Sequence, residues 1–194
     1  MFKNQFSSLA EPKGIGKEIA ERFLKKEGHQ VAVSDIDEKG LSLLKTQYPQ
    51  LLTFQADVSS WESVQQMISA AERELGGIAH LVYSAGMTKS LPFLEVDFSL
   101  WKKTLAVNLY GLYYCIKALA PYMCERQEGS VVIIGSGSAI TGSGGGIQYY
   151  ASKAGAFGLM RSLVKELGSH QIRINVIAPP ASLNLKCLIR SILL

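Results

Sequence analysis

Short apolar bursts alternate along this chain with longer stretches whose apolar residues fall at helical spacing, and this alternation restricts the fold more than any other feature. The bursts are Gln30–Asp35, Leu51–Gln55, His80–Ser84, Ser130–Ile134 and Ile172–Ile177. Near-continuous apolar strands need cover on both faces. Connections long enough to hold a helix return each strand parallel to the last. The intervening stretches predict helices over about Gly16–Glu27, Glu38–Gln47, Trp61–Leu75, Ser99–Glu125 (with a break inside it) and Tyr150–Leu167. Gly28, Gly76-Gly77, Gly129 and Gly168 stand where helices should stop. The expectation is a Rossmann-like, doubly wound parallel sheet in three α/β/α layers. With 194 residues the chain suits one such domain and is short for two.

Several function classes drop out at once. Hydrophobic residues make up 47% and charged residues 19%, a globular balance and not a disordered one. No apolar run reaches the roughly 18 residues that would cross a bilayer. The start, Met1-Phe-Lys-Asn-Gln-Phe6, lacks the apolar stretch of a signal peptide, so a cytoplasmic protein is expected. The net charge of +4 is scattered, with only Lys25-Lys26 and Lys102-Lys103 adjacent, which reads as solvated helix faces and not as a nucleic-acid surface. Cys115, Cys124 and Cys187 offer neither a CxxC pair nor an even count, so no disulfide framework or metal site is expected. His29, His80 and His170 are isolated and receive no catalytic or metal role.

Chemistry concentrates in a few places. Tyr149 and Lys153 lie four residues apart, so a helix would put them on one face. A nearby ammonium favours the phenolate and so lowers a phenol's pKa. Upstream, Ser136 opens a Gly/Ser-rich stretch, 136–146, after a strand end, where a doubly wound sheet gathers its ligands. Gly14-Ile15-Gly16 precedes a helix, and Asp35 ends a strand about 20 residues later. Small residues at such a turn let a pyrophosphate approach, and the acid can receive ribose hydroxyls. The plainer readings are a tight turn at the glycines, and helix caps for Asp35 or Asp37 and for Asp57.

Together, Asn108 in Val107-Asn-Leu-Tyr-Gly111, Ser136 in Ile134-Gly-Ser136, and Tyr149 with Lys153 in Gln148-Tyr-Tyr-Ala-Ser-Lys153 resemble the active site of the short-chain dehydrogenase/reductase family. The resemblance runs from about Gly14 to Pro179. It implies Tyr149 as general acid/base, and Lys153 lowering its pKa while binding the nicotinamide ribose. Ser136 would donate to the substrate carbonyl, and Asn108 would hold a helix kink and a water that relays protons to Lys153. For the cofactor it implies Gly14, Ile15 and Gly16 near the pyrophosphate, Asp35 on the ribose, and Asp57-Val58 at the adenine. Ser84-Ala85-Gly86 and Pro179 would complete the nucleotide site, and Asp35 favours NAD over NADP.

The chain departs from the family pattern at four places. Leu9-Ala10 replaces a Thr-Gly pair, and Glu11-Pro12 stand inside the turn. Phe6–Leu9 is a poor match to the apolar first strand, so residues 1–13 read as a degenerate strand and turn. Tyr83 and Ser84 replace the two asparagines of the family's Asn-Asn-Ala-Gly. Pro180 replaces a glycine, and residues 180–194 read as an atypical tail with apolar residues at helical spacing in place of a capping segment, a further helix and a last strand.

The resemblance therefore implies an NAD-dependent oxidoreductase acting on a secondary alcohol or ketone, with a sugar- or polyol-like substrate favoured by Met87–Phe93. The alternatives are an inactive nucleotide-binding or interaction module and a 3-oxoacyl-thioester reductase; the latter usually prefers NADP, which Asp35 opposes. A homodimer through Ser99–Glu125 and Tyr150–Leu167 is also implied, with Tyr110, Tyr113, Tyr114 and Phe157 suited to the interface or to the core.

Overall fold

The structure is a computed structural model and describes residues 5–9 (backbone), 14–25, 29–142 and 145–179. Six strands form one parallel sheet: β1 (Gln5–Leu9), β2 (Gln30–Asp35), β3 (Leu52–Gln55), β4 (His80–Tyr83), β5 (Gly129–Ile134) and β6 (Ile172–Ile177), in the order β3-β2-β1-β4-β5-β6. The degenerate first strand is thus a full central strand. Gln5 aligns with Gln30 of β2, and Phe6 aligns with His80 of β4. A central strand has hydrogen-bonded partners on both sides, and that context overrides the low strand propensity of its serines.

The helices are α1 (Gly14–Leu24), α2 (Glu38–Gln47), α3 (Trp61–Leu75), α4 (Phe98–Leu105), α5 (Gly111–Arg126), α6 (Ser138–Thr141) and α7 (Ile147–Leu167). They cover both faces of the sheet, and the strands show it residue by residue. Val31, Val33, Val82 and Ile134 pack with Ile19, Phe23, Leu41 and Leu44 of α1 and α2. Ala32, Leu81, Tyr83 and Ile133 turn the other way, toward Ile68 of α3, Leu112 and Leu119 of α5, and Ala156 of α7. This is the period-2 alternation of a strand buried on both faces.

An ion pair locks the second layer. Arg126 donates to Glu72 Oε2 at 2.7 Å, to Glu72 Oε1 at 2.9 Å and to the Ile78 carbonyl at 2.9 Å. The Ile78 N–H returns to Glu72 Oε1 at 2.9 Å. The Glu72 carboxylate is buried, so the pair joins α3, α5 and the entry to β4 through desolvated contacts.

Several expected boundaries move. The break in the long helix is a π-helical turn over Ala106–Tyr110, between α4 and α5. The last long helix begins at Ile147 and not Tyr150, because Gly146 is already extended (φ −93°, ψ 162°) and the helix starts directly after it. The 136–146 stretch, read as a loop, contains the short α6, which Gly142 closes at φ +68°. Gly76 closes α3 in the left-handed conformation, as expected. Gly129 and Gly168 do not serve that way. Gln127 takes the left-handed position after α5, and Gly129 starts β5 because a Cβ there would meet Met123 Sδ at 2.5 Å. Gly168 stays right-handed at φ −61° and opens a short 3₁₀ turn that ends on left-handed Gln171. Gly28, the Ala10-Glu11-Pro12 turn and the 180–194 tail lie outside the described residues.

Candidate active site

The end of β5, the segment after β4, the π-helical turn and α7 meet at Lys153. Its stem runs inside α7, and Nζ donates to the Ile134 carbonyl at the end of β5, at 2.8 Å. The side chain is buried, and burial pushes the ammonium pKa down to about 8. Tyr149 lies one helical turn earlier on the same face, with Lys153 Nζ 5.8 Å from its ring centroid. Gly86, just past β4, leaves the room beside them. A Cβ on Gly86 would sit 3.5 Å from both Lys153 Nζ and Asn108 Oδ1.

Asn108 is buried inside the π-helical turn. Its Oδ1 accepts from the Met87 N–H at 2.8 Å. Its Nδ2 donates to the Met87 carbonyl at 3.0 Å and to Ser152 Oγ at 2.9 Å. Ser152 Oγ in turn donates to the Tyr149 carbonyl at 2.8 Å. One amide therefore ties the loop after β4, the α4–α5 helical run and the first turn of α7. π-turns recur at functional sites because they re-aim a side chain in this manner.

Ser136 stands two residues past Ile134, at the carboxyl end of β5. Its Oγ lies 2.6 Å from Ser138 Oγ and accepts from the Ser138 N–H at 3.3 Å. Gly145 brings the other side of the loop to Tyr149, since a Cβ there would approach Tyr149 Cδ1 to 3.0 Å. Tyr150 faces away from that task; its hydroxyl accepts from the Gly145 N–H at 2.7 Å.

The residues expected to hold a nucleotide occupy the same edge, because all strands run parallel and present their carboxyl ends together. The order reverses at β1, between β2 and β4, which is the switch point where such sheets bind ligands. Gly14 opens α1 at φ +64°, a conformation that favours glycine. Ile15 packs against the core, and Gly16 is buried in the first turn. Asp35 ends β2 and accepts from the Asp37 N–H at 2.7 Å, while Asp37 caps α2 through Gly40. Asp57 accepts from the Ser59 N–H and Oγ at 2.8 and 2.7 Å, while Ser60 caps α3. Neither Asp35 nor Asp57 is a helix cap. Val58 abuts Gly111, where a Cβ would come within 2.9 Å of the Val58 carbonyl oxygen. Ser84 and Ala85 follow β4, with Ala85 against the core, and the Pro179 carbonyl accepts from the Gly137 N–H at 3.0 Å.

Three site residues escaped the sequence reading. Ser152 could have been found from its position beside Lys153 on the buried face of α7. Gln148 is fully buried and donates to the Lys89 carbonyl at 2.6 Å, fastening the loop after β4 to α7. Tyr83, noted only as a departure, points inward and donates to the Val107 carbonyl in the π-helical turn.

Comparison with known proteins identifies the family and the fold. The family model described as short chain dehydrogenase matches residues 10–183. The chain is 31% identical over 172 residues to 3-oxoacyl-acyl-carrier-protein reductase FabG of Staphylococcus epidermidis, covering 86% of this chain and 70% of that protein. It is 34% identical over 173 residues to (+)-cis,cis-nepetalactol synthase NEPS3 of Nepeta racemosa, covering 87% of this chain and 64% of that one. Among solved structures, one described as a short-chain alcohol dehydrogenase from Sinorhizobium meliloti 1021 superposes with a TM-score of 0.81 at 31% identity, over 90% of this chain and 71% of that chain.

Proposed function

The chain belongs to the short chain dehydrogenase family and is an NAD(P)-dependent oxidoreductase of that family, and from this premise we propose that it interconverts a secondary alcohol and a ketone, with NAD as its preferred nucleotide. The observation that carries the reading is the convergence of Lys153, Tyr149, Asn108 and Gly86 at the carboxyl ends of β4 and β5. When bound, the nicotinamide supplies or accepts the hydride. Tyr149 gives its hydroxyl proton to the carbonyl oxygen in reduction and takes it back in oxidation. Lys153 keeps a cation beside that phenol and orients the nicotinamide ribose. Ser136 donates to the carbonyl oxygen as its negative charge grows. Asn108 holds the loop after β4 and the start of α7 in register around the reacting groups.

The fit for a dinucleotide rests on the missing side chain at Gly86 and on two strand-end carboxylates that are not helix caps. Gly14, Ile15 and Gly16 would hold the pyrophosphate at the start of α1, and Asp35 the adenosine ribose hydroxyls. Asp57 and Val58 would meet the adenine, and Ser84, Ala85, Gly86 and Pro179 would flank the nicotinamide half. A carboxylate at Asp35 repels a 2′-phosphate, which is the basis of the NAD preference. A sugar- or polyol-like ketone is the favoured substrate, on the similarity around Met87–Phe93 and the hydroxyls of Thr88, Ser136 and Ser138 nearby. A dimer through α4, α5 and α7 is supported by the exposure of Tyr110, Tyr113 and Val164; Tyr114 instead packs on Trp61 at 5.8 Å.

Titration of the purified chain with NADH and NADPH, read by nicotinamide fluorescence, tests the nucleotide half. Saturable binding that favours NADH is expected, and equal or NADPH-favouring affinity would remove the NAD assignment. One feature favours a second reading, a nucleotide-binding module without turnover: Glu11 and Pro12 in the glycine turn, where Pro12 lacks a backbone donor. That reading gains if NADH binds and no ketone is reduced.

A further inference from the structure

The departure at position 83 has a structural consequence. Tyr83 ends β4 with its ring in the core, 1% exposed, where the resembled motif carries an asparagine. Its hydroxyl donates to the Val107 carbonyl. Val107 belongs to the π-helical turn and directly precedes Asn108. A π-turn interrupts the regular ladder of a helix, so its carbonyls call for donors from outside it. Burial holds the Tyr83 phenol well above its usual pKa, so it stays protonated and remains a donor. The fit is close. A Cβ on Gly111, the residue after the turn, would fall 2.5 Å from the Tyr83 hydroxyl oxygen. Gly111 therefore admits the same contact that Tyr83 makes.

From the turn the contacts continue without a gap. Asn108 holds Met87 through two hydrogen bonds and Ser152 through a third, and Ser152 holds the Tyr149 carbonyl. We propose that Tyr83 is a positioning residue of the active site: its hydroxyl fixes the π-helical turn through Val107 so that Asn108 stays aimed at Met87 and at the Ser152–Tyr149 end of α7. Tyr83 touches neither substrate nor cofactor in this role. The proposal rests on the oxidoreductase reading only for its effect on turnover, and its structural half stands apart from that reading.

Tyr83→Phe keeps the ring and deletes one oxygen. Two readouts follow, one independent of activity. The Nδ2 protons of Asn108 are buried and doubly bonded, so in selectively labelled protein they exchange slowly with deuterium. In Tyr83→Phe that exchange is expected to accelerate by about tenfold, the change a lost net hydrogen bond of ordinary strength produces. In ketone reduction, kcat is expected to fall by about tenfold while NADH affinity stays within about twofold. Gly111→Ala crowds the same hydroxyl but also the Val58 carbonyl, at 2.9 Å, so it serves as the second variant for the exchange readout alone; it should accelerate Asn108 exchange as Tyr83→Phe does, and the double variant should exchange no faster than the faster single one. Unchanged Asn108 exchange overturns the proposal even if the wild-type chain reduces no ketone, an outcome that counts only against the oxidoreductase reading. Loss of NADH affinity in step with kcat also overturns it, because that marks general loosening. Insolubility of both variants assigns the hydroxyl to folding and overturns it equally.

Discussion

Replacing Lys153 with methionine should make the protein more stable at neutral pH while abolishing turnover, and the gain should vanish in alkali. The stem of Lys153 already lies in the interior, and methionine matches its length without the charge. Burial lowers the ammonium pKa from 10.5 to about 8, so the folded state binds this proton less tightly than the unfolded state does. Below pH 8 both states are protonated and the folded state carries the full cost of the buried charge. Between pH 8 and 10.5 the unfolded state holds more protons, so wild-type stability rises with pH. A shift of this size corresponds to about 3 kcal/mol, at 1.36 kcal/mol for each pH unit. Against this, the variant leaves the Ile134 carbonyl without the ammonium that Lys153 gives it at 2.8 Å, which costs roughly 1–2 kcal/mol. The net expectation is a variant more stable than wild type by about 1–2 kcal/mol at pH 7. The difference should swing toward wild type by about 1 kcal/mol at pH 9 and by 2–3 kcal/mol at pH 10. Urea unfolding of both proteins at pH 7, 9 and 10 measures it. A stability difference that stays flat over this range would mean that Lys153 titrates alike in the folded and unfolded chain, and that its burial carries no such cost.

Other outcomes follow from the same geometry. Tyr149→Phe should reduce ketone turnover by at least about 10²-fold, the usual worth of a general acid, while leaving NADH affinity nearly unchanged in a fluorescence titration. Asp35→Ala should move the NADH/NADPH affinity ratio toward NADPH, since it removes the carboxylate that repels a 2′-phosphate; an unchanged ratio takes Asp35 out of nucleotide selection. Arg126→Ala should cost about 3 kcal/mol in urea unfolding, because it strands the buried Glu72 carboxylate, and Glu72→Gln in the same background should recover part of the loss.

The layers and strands were legible because each relies on a pattern that the backbone itself enforces. Val31, Ala32 and Val33 pack on alternate faces, and a run apolar at every position announces a strand covered on both sides. Asn108, Ser136, Tyr149 and Lys153 form a set through their resemblance to the family's active site; the structure brings Asn108, Tyr149 and Lys153 together beside Gly86 and puts Ser136 past the end of β5 against Ser138. Three features stayed hidden. β1 was obscured because its place in the sheet centre is given by partners far away in sequence. The start of α7 was placed late because Gly146 provides no capping side chain to mark it. The partnership of Tyr83 with Val107 spans 24 residues and depends on the path of a π-helical turn, which no local period encodes. The caps divided as the structure chose: Asp37 and Ser60 took them, and Asp35 and Asp57 did not.

If Tyr149, set beside Lys153, delivers the proton in an NADH-dependent carbonyl reduction, turnover depends on its hydroxyl. The most direct test follows NADH absorbance at 340 nm with a panel of ketoses and simple ketones, comparing wild type with Tyr149→Phe. Wild type should consume NADH in a ketone-dependent manner, and the variant should consume none above background. Equal consumption by the two proteins would contradict that role for Tyr149.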